Sequence, residues 1–251
     1  MHLTATIITK NEASHIKECL ESLSFVDEIV VLDSGSSDET VRICREYGAL
    51  VLETDWPGFG PQKNRAIDLA NGEWVLSIDA DEIVSETLRK EIIWAISHSN
   101  GKVAFRMPRA SSYCGRIMKH GGWWPDYVTR LFLRGHARFN DRLVHEALVV
   151  KGSVGKLVSP LFHNTYESLE EVLLKVNDYS SAGALQMAQT GKRGGLFRAI
   201  FHGLWAFART YFFRLGFLDG KEGFMLAVSN AEATYYRYLK WIFIDMKFKR
   251  K

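Results

Sequence analysis

Carboxylates gather where an apolar segment ends, in "WVLSIDADE", residues 74–82. Residues 74–78 are largely apolar, and Asp79, Asp81 and Glu82 follow within four positions. Carboxyl pKa values near about 4 leave all three side chains ionised at neutral pH, so they repel one another. An Asp-x-Asp at a strand end lets two carboxylates face one site, and Mg2+ or Mn2+ takes such oxygen ligands. The pattern indicates a divalent cation that bridges to a phosphate; the alternative is a solvated turn with a helix cap.

A second acidic strand end favours the metal interpretation. In "VVLDSGSSDET", Asp33 ends an apolar segment and a Ser/Gly loop follows. The loop precedes a predicted helix, whose free N–H groups and dipole favour an anion. Ser36 and Glu39 have the S-x-x-E spacing of a capping box, which predicts that this helix begins at Ser36. Two acidic strand ends in one small sheet are less readily explained as two unrelated turns.

The elements that must position these acids alternate between strands and helices through the first 80 residues. The strand segments are 3–9, 28–32, "ALVLET" and "EWVLSID", and the helix segments are "NEASHIKECLESL", the stretch from Ser36 and the stretch from Pro61 in "GPQKNRAIDLANG". This order predicts a parallel α/β sheet, whose ligands bind outside the carboxyl ends of the strands. The residues at those ends are Asn11, Glu12, Asp33, Asp79 and Asp81.

The pattern changes after Asp81. "SETLRKEIIWAI" predicts a helix with Ser85 as its cap, and "KVAFRMPRA", "YVTRLFLRG", "ARFND" and "EALVVKG" predict strands of a mixed or antiparallel extension. A helical segment then runs to Gly191. We expect one α/β domain over residues 1–191 and a helical, basic and aromatic extension over residues 192–251.

Composition places the chain among globular proteins, with 47% hydrophobic and 24% charged residues in 251. Residues 192–251 hold 12 Lys and Arg against 4 Asp and Glu, whereas the rest of the chain holds 20 against 25. This asymmetry indicates an anionic partner for the tail. The three scattered cysteines form no metal or disulfide framework, and "MHLTATIITKNE" lacks the pattern of a signal peptide. We therefore expect the protein in the cytosol, or on a membrane that faces it.

Four segments together resemble a known family. "TIITKNEASHIKECLESL", "VVLDSGSSDET", "KNRAIDLANGEWVLSIDADE" and the later "RLVHE" are similar to family 2 glycosyltransferases of the GT-A fold. Within that family, the bacterial lipopolysaccharide-core β-1,4-glucosyltransferase group is the most similar. The match is dense over residues 3–82 and thins to islands at 123–146 and 163–179. The resemblance implies an α/β fold, with a Rossmann-like mixed sheet flanked by helices.

The resemblance also implies site residues for a nucleotide-diphosphate sugar at the strand ends. Asp33 would hold the base or ribose, while Asp79 and Asp81 would hold Mg2+ or Mn2+ against the diphosphate. Further contacts to the donor would come from Thr9, Glu12, Lys63, Asn64, Arg65 and Arg130, the last through bidentate binding of the diphosphate. A cation at that position would stabilise the departing nucleoside diphosphate.

An inverting enzyme of this family needs a base that deprotonates the acceptor hydroxyl. "RLVHE" supplies Glu146 as the base and His145 as a metal or phosphate neighbour, with ordinary surface residues as the alternative. The more usual acidic pair of the family is absent, which leaves Asp126 and Asp141 as competitors. His163, in "PLFHNTY", is a further candidate metal ligand, although a lone histidine in an apolar segment is more often structural.

Trp123 and Trp124 follow two glycines and have two interpretations. They could form a platform on which a sugar stacks, or they could belong to the core. We expect at least one of them to be core.

The segment 196–217 is a poor transmembrane helix because Arg198, Arg209 and Arg214 interrupt it. Aromatic residues mixed with Arg and Lys suit a helix in the headgroup layer, where each basic residue near anionic lipid contributes about 1 kcal/mol. The alternatives are a helical pair that packs on the domain and an interface in a homo-oligomer. A nucleic-acid role also suits such a tail, but the acidic body and the metal-site spacing argue against it.

The resemblance implies an inverting, metal-dependent transfer of glucose from UDP-glucose to a heptose of the lipopolysaccharide inner core. Such an enzyme would act on a lipid-linked saccharide, at the cytoplasmic face of the bacterial inner membrane. Related enzymes use a polyprenyl phosphate, exopolysaccharide or peptide acceptor, and a nucleotidyltransferase would need similar carboxylates. A nicotinamide-dependent enzyme is excluded because no G-x-G-x-x-G follows the first strand.

Overall fold

The computed structural model describes residues 2–140 and 147–249. It divides into two compact units: Met1–Arg109 with Asp126–His163, and Ala110–Pro125 with Asn164–Lys251. The boundary predicted at residue 191 falls inside the second of these units. The helix Leu169–Gln189 belongs with the tail because it packs along the last helix, Gly220–Lys249.

The strands of the structure are β1 (Leu3–Thr9), β2 (Glu28–Asp33), β3 (Leu50–Glu53), β4 (Trp74–Asp79), β5 (Glu82–Val84), β6 (Ala104–Tyr113), β7 (Arg116–Ile117), β8 (Asp126–Leu133), β9 (Ala137–Phe139), β10 (Leu148–Val150), β11 (Val154–Lys156) and β12 (Leu161–Tyr166). The main sheet has the order β3-β2-β1-β4-β8-β6-β12-β5, with β7 and β11 paired to β6. Strands β3, β2, β1 and β4 run parallel, whereas β8 is antiparallel to β4. The predicted parallel sheet and its mixed extension are confirmed.

The helices are α1 (Ile16–Ser22), α2 (Thr40–Glu46), α3 (Phe59–Leu69), α4 (Glu86–Ser97), α5 (Leu169–Gln189), α6 (Leu196–Ala208) and α7 (Gly220–Lys249). A π-helical turn, Arg209–Phe213, and a 3-10 turn, Gly216–Asp219, separate α6 from α7. The helical nature of the tail is thus confirmed. Among the helices that the structure describes, none is long and apolar enough to cross a membrane.

Two of the predicted helix starts differ from the structure. Helix α2 begins at Thr40, not at Ser36. The Ser36 hydroxyl donates to Asp33 and accepts from the Asn11 amide at 2.8 Å, so it binds the loop to the ends of β1 and β2. Helix α3 begins at Phe59, two residues before Pro61. The predicted cap of α4 is confirmed, since the Ser85 hydroxyl accepts a hydrogen bond of 3.1 Å from the amide of Leu88.

The core of the first unit fixes the register of its strands. Ile7, Leu76 and Ile78 are almost fully buried and pack with Leu88 and Ile92 of α4. Burial of each such side chain contributes about 1.5–3 kcal/mol. This packing holds the carboxyl ends of β1, β2 and β4 side by side at one edge of the sheet.

Candidate active site

The turn after β2 is held together by Asp33, which pairs with Thr9 in the strand register. The Asp33 carboxylate is fully buried and accepts hydrogen bonds from the Thr9 hydroxyl at 3.0 Å, the Gly35 amide at 2.9 Å and the Ser36 amide at 2.8 Å. The Ser36 hydroxyl is a fourth donor. These hydrogen bonds fix the turn that follows β2, and the expected contact of Asp33 with the base or ribose stays a prediction.

A pocket of ≈ 270 Å³ lies beside the end of β1 and is lined by Ile8, Thr9, Lys10, Glu12, Trp56 and Phe59. The rings of Trp56 and Phe59 meet edge to face at 4.8 Å, and both are about half exposed. Aromatic walls with a few polar groups are typical of ligand pockets. The sequence analysis expected Thr9 and Glu12 to line a pocket but missed Lys10, Trp56 and Phe59. The two closely spaced aromatic residues in "DWPGF" could have indicated Trp56 and Phe59.

Glu12 is the residue of this pocket whose pKa is shifted. Burial raises its pKa to about 7, and the nearby charge of Asp81 adds to the effect. The carboxylate therefore changes its charge near neutral pH, beside a region that already holds excess negative charge.

We expect Glu12→Gln to raise the melting temperature at about pH 8 and to leave it nearly unchanged at about pH 5. The folded-state pKa exceeds the ordinary value of 4.5, so the folded protein binds the proton more tightly than the unfolded chain. That stabilisation is present at low pH and is lost as the pH rises through about 7. Calorimetry at both pH values tests this, with the exposed Glu18→Gln as control; equal shifts at both pH values would contradict it.

Asp79 ends β4 and is paired through both carboxylate oxygens. Its Oδ1 lies 2.8 Å from Lys63 Nζ, and its Oδ2 accepts from Arg130 Nη2. Burial alone would raise the pKa of Asp79, but Arg130 and Lys63 outweigh it and hold that pKa well below its ordinary value. That Asp79 shares a metal with Asp81 stays a prediction.

Glu82, which the sequence analysis left without a role, completes the network. It is fully buried, accepts from Arg130 Nη2 at 2.6 Å and accepts from the Asp79 amide at 3.0 Å. Arg130 is also buried, and its Nε has no hydrogen-bond partner within the described residues. The carboxylates of Asp79 and Glu82 thus fix the Arg130 guanidinium beside the end of β4.

Asn64 and Arg65 have partners within the protein, and their expected contacts to the nucleotide stay predictions. The Asn64 amide donates to the Phe139 carbonyl at 2.8 Å and accepts from the Phe139 amide at 2.9 Å, so it joins α3 to β9. Arg65 is exposed and pairs with Asp55 at 2.7 Å. Of the three α3 residues assigned to the donor, Lys63 alone contacts a strand-end carboxylate in the described chain.

Asp81 and His163 lie together, because β12 pairs with β5 so that His163 stands opposite Glu82. His163 Nε2 is 3.1 Å from Asp81 Oδ2, and the two side chains are 14% and 29% exposed. A carboxylate oxygen and an imidazole nitrogen form a donor set suited to a divalent metal, with Mn2+ favoured over Mg2+ by the imidazole. Over residues 2–140 and 147–249, no three such side chains form a metal cluster. The pair fits a cation that takes its remaining ligands from water and phosphate.

Glu146, His145 and Asp141 fall outside the described residues. Asp126, the competing base, is held by Arg109 Nη2 at 2.7 Å.

The two tryptophans belong to the second unit. Trp123 packs with Tyr113 and Tyr166, while Trp124 is 37% exposed. The expectation that one tryptophan is core is confirmed.

Comparison with known proteins assigns the class of enzyme. The family model described as glycosyl transferase family 2 matches residues 4–150. An uncharacterized glycosyltransferase of Rickettsia felis is 32% identical over 95% of this chain and 88% of its own length. The lipopolysaccharide core biosynthesis glycosyltransferase LpsC of Rhizobium meliloti is 31% identical over 94% of this chain and 93% of its own length.

Among solved structures, S. aureus TarS 1–349 is similar with a TM-score of 0.48 and 17% identity, over 71% of this chain and 65% of that one. The sequence family, and not this partial structural similarity, decides the enzyme class, and it removes the nucleotidyltransferase alternative. The chain belongs to glycosyltransferase family 2 and is a glycosyltransferase.

Proposed function

We propose that the protein is an inverting, metal-dependent glycosyltransferase that moves glucose from UDP-glucose to a heptose of the lipopolysaccharide inner core. The observation that carries the proposal is the Asp81–His163 pair at the carboxyl end of β4, next to the Lys63–Asp79–Arg130 network. The similarity to LpsC, whose name assigns it to lipopolysaccharide core biosynthesis, supports the acceptor class.

The two aspartates of the Asp-x-Asp have separate roles in this proposal. Asp81 and His163 would hold Mn2+ or Mg2+, which would neutralise charge that develops on the departing nucleoside diphosphate. Asp79 instead positions Lys63 and Arg130, whose cationic groups would receive the same diphosphate.

The base in this proposal is Glu146. Its carboxylate takes the proton of the acceptor hydroxyl as that oxygen attacks the anomeric carbon. The bond to the diphosphate breaks on the opposite face, so the configuration at the anomeric carbon inverts.

Glu146→Gln is expected to lower turnover by about 10²- to 10⁴-fold while donor binding stays nearly unchanged, because the amide keeps the shape and cannot accept the proton. Steady-state rates and donor calorimetry measure the two effects. Asp141→Asn is the matched variant for the competing acid. A normal rate in Glu146→Gln together with a large loss in Asp141→Asn would transfer the role of base to Asp141.

A donor and acceptor screen tests the whole proposal. Nucleotide sugars are offered with Mn2+, Mg2+ or a chelator, first without acceptor and then with lipopolysaccharide cores truncated at the heptoses, polyprenyl phosphate or peptides. We expect UDP release from UDP-glucose that needs the metal, and product only with heptose-terminated cores. Transfer from another donor, or to another acceptor class, would reject the assignment made here.

Peripheral membrane association is part of this proposal, and helix α6 supports it. Its large side chains face outward: Phe197, Phe201 and Leu204 are 88%, 68% and 68% exposed. The small residues Ala199 and Gly203 are buried instead, and a Cβ on Gly203 would lie 3.4 Å from a carbonyl oxygen of α7. Exposed apolar patches of this kind mark interaction sites.

The charge around this helix indicates the partner. Lys192, Arg193 and Arg198 are exposed at its amino-terminal end, within a tail that carries 12 basic against 4 acidic residues. Aromatic and basic side chains on one helix suit a surface of anionic lipid. We place the protein on the cytoplasmic face of the bacterial inner membrane on this basis.

The full chain is expected to float with vesicles that contain anionic lipid. The double variant Phe197→Ser/Phe201→Ser should reduce the vesicle-bound fraction at least about tenfold, because burial of each phenylalanine in the lipid contributes about 1.5–3 kcal/mol. Trp94→Ser, at an exposed position of α4, is the control. Equal flotation of the two variants would remove α6 from the membrane contact. Self-association without lipid, measured by sedimentation, would instead indicate a homo-oligomer.

A further inference from the structure

A second pocket, of ≈ 290 Å³, lies entirely within the second unit and has no part in the function proposed above. Its walls are formed by α5, α6, α7, the π-helical turn and the loop before β8. The lining residues are Gly121, Gly122, Trp123, Tyr179, Ala206, Arg209, Arg214, Asn230, Ala233, Thr234 and Arg237. Three of them are arginines, and none carries an acidic side chain.

The three guanidinium groups share one opening and lack anionic partners. In the part of the chain that the structure describes, neither Arg209, Arg214 nor Arg237 forms an ion pair with a carboxylate. Three like charges around one pocket repel one another. Such an arrangement is retained at a cost in stability, and an anion in the pocket would offset that cost.

The surrounding backbone makes room for two of these arginines. A Cβ on Gly122, whose φ is +87°, would lie 2.2 Å from Arg214 Nη1. A Cβ on Gly183 would lie 2.6 Å from Arg237 Cδ. Both distances are far below contact between non-bonded atoms, so only glycine at these positions admits the arginines where they lie.

One of the pocket arginines has an unused hydrogen-bond donor, and the other two flank an unusual turn. The Nε of Arg237 is buried and has no hydrogen-bond partner among the described residues. Arg209 opens the π-helical turn, and Arg214 follows its last residue, Phe213. Such widened turns occur often at functional sites.

We propose that this pocket binds a phosphate group, as a phosphomonoester or a diphosphate. Guanidinium groups bind phosphate oxygens through two parallel hydrogen bonds, which is the strongest use of an arginine without a partner. Trp123 and Tyr179 line the same pocket and provide an aromatic surface for the group that carries the phosphate. The phosphate comes either from a lipid headgroup or from a soluble molecule.

Calorimetric titration of the full chain with inorganic pyrophosphate tests the pocket. Arg214→Gln and Arg237→Gln are each expected to weaken binding about tenfold or more, because each removes a charge-assisted hydrogen bond. Arg198→Gln makes the same charge change at an exposed position, where Nη1 donates to the Arg193 carbonyl, and should leave the affinity within about twofold. Undetectable binding to the wild-type chain, or equal affinities in all three variants, would overturn the proposal.

The melting temperature separates a binding role from a structural one. Without pyrophosphate, Arg214→Gln and Arg237→Gln should melt at the wild-type temperature or above it, because one of three repelling charges is removed. Pyrophosphate should raise the melting temperature of the double variant less than that of the wild-type chain, because only the site proposed for the donor diphosphate is then intact. If an arginine has only a structural role, its variant melts at a lower temperature than the wild type, and pyrophosphate stabilises that variant as much as it stabilises the wild type. Arg209→Gln then serves as an independent variant. A lower melting temperature with undiminished stabilisation by pyrophosphate in Arg209→Gln as well would overturn the proposal.

Vesicles distinguish the two sources of phosphate. A headgroup ligand predicts that the double variant loses flotation with phosphatidic acid vesicles, relative to a change at the exposed Arg138, Arg138→Gln, at least about tenfold. A soluble ligand predicts equal flotation of the two variants while pyrophosphate affinity still falls in the double variant. If the double variant keeps both its flotation and its pyrophosphate affinity, the pocket does not bind phosphate.

Discussion

Replacing Asp81 with asparagine is expected to lower metal-stimulated turnover by at least about a hundredfold, while the melting temperature changes little. The amide keeps the volume of the side chain but removes the negative charge that attracts a cation. Asp81 is part-exposed and its side-chain contact is with His163, so its loss leaves no buried charge without a partner. Rates of UDP release across a Mn2+ titration measure the effect.

Asp68→Asn is the matched control, since it makes the same change at an exposed ion pair with Arg138. His163→Gln should give a smaller loss than Asp81→Asn, because it removes a neutral ligand. Metal affinity from Mn2+ resonance spectroscopy should fall in both site variants and remain normal in the control. Full metal-stimulated activity in Asp81→Asn, with loss in Asp79→Asn, would assign the metal to the other carboxylate.

Arg130→Met is expected to destabilise the folded state by about 3–5 kcal/mol, because it leaves two carboxylates in the protein interior without their shared cation. Glu82 is fully buried and Asp79 is only 27% exposed at its side chain. Methionine fills much of the same space, so the loss reports charge rather than a cavity. Urea unfolding at neutral pH measures the free energy.

Arg138→Met provides the comparison for this effect. Its ion pair with Asp68 is as short, at 2.6 Å, but both side chains are more than half exposed. An exposed pair contributes about 0–1 kcal/mol, so this variant should unfold near the wild-type urea concentration. Equal losses in the two variants would show that burial of the Arg130 network has no special energetic role.

A fall in pH should reduce the stability that the same network contributes. Because Arg130 and Lys63 hold the pKa of Asp79 well below its ordinary value, their stabilisation is present above that ordinary value and is lost as the pH falls below it. In Arg130→Met the pKa of Asp79 rises toward its ordinary value, so the part of the stability that is lost on acidification should be smaller than in the wild type. Unfolding free energies measured at neutral and acid pH show how much stability each protein loses.

The local character of the strand ends could be read from the sequence. Segments such as residues 3–9 are apolar and β-branched because a strand of a parallel sheet is buried on both faces. The alternation of these strands with helices allows few topologies, so the sequence predicts that the acids at the ends of β2 and β4 lie at one edge of the sheet. The resemblance in "DSGSSDET" and "DADE" identified the family for the same reason: these are short motifs at fixed spacing.

The sequence could not assign a partner to each carboxylate. Asp33 and Asp79 stand in similar positions along their strands, yet one holds its own turn and the other pairs with Lys63 and Arg130. Arg130 comes from β8, 51 residues later in the chain. A partner at that distance depends on the register of an antiparallel neighbour, which no local pattern encodes.

The parallel sheet, the acidic strand ends and the family follow from the amino-acid sequence, because they depend on residue type and on spacing over a few turns. Coordinates of the folded chain are needed to see that Asp81 contacts His163, that Glu82 binds Arg130, that α5 packs with the tail and that three arginines line one pocket. Each of these is a contact between distant segments. Such contacts arise from how buried faces pack, and packing is a property of the whole fold rather than of any segment.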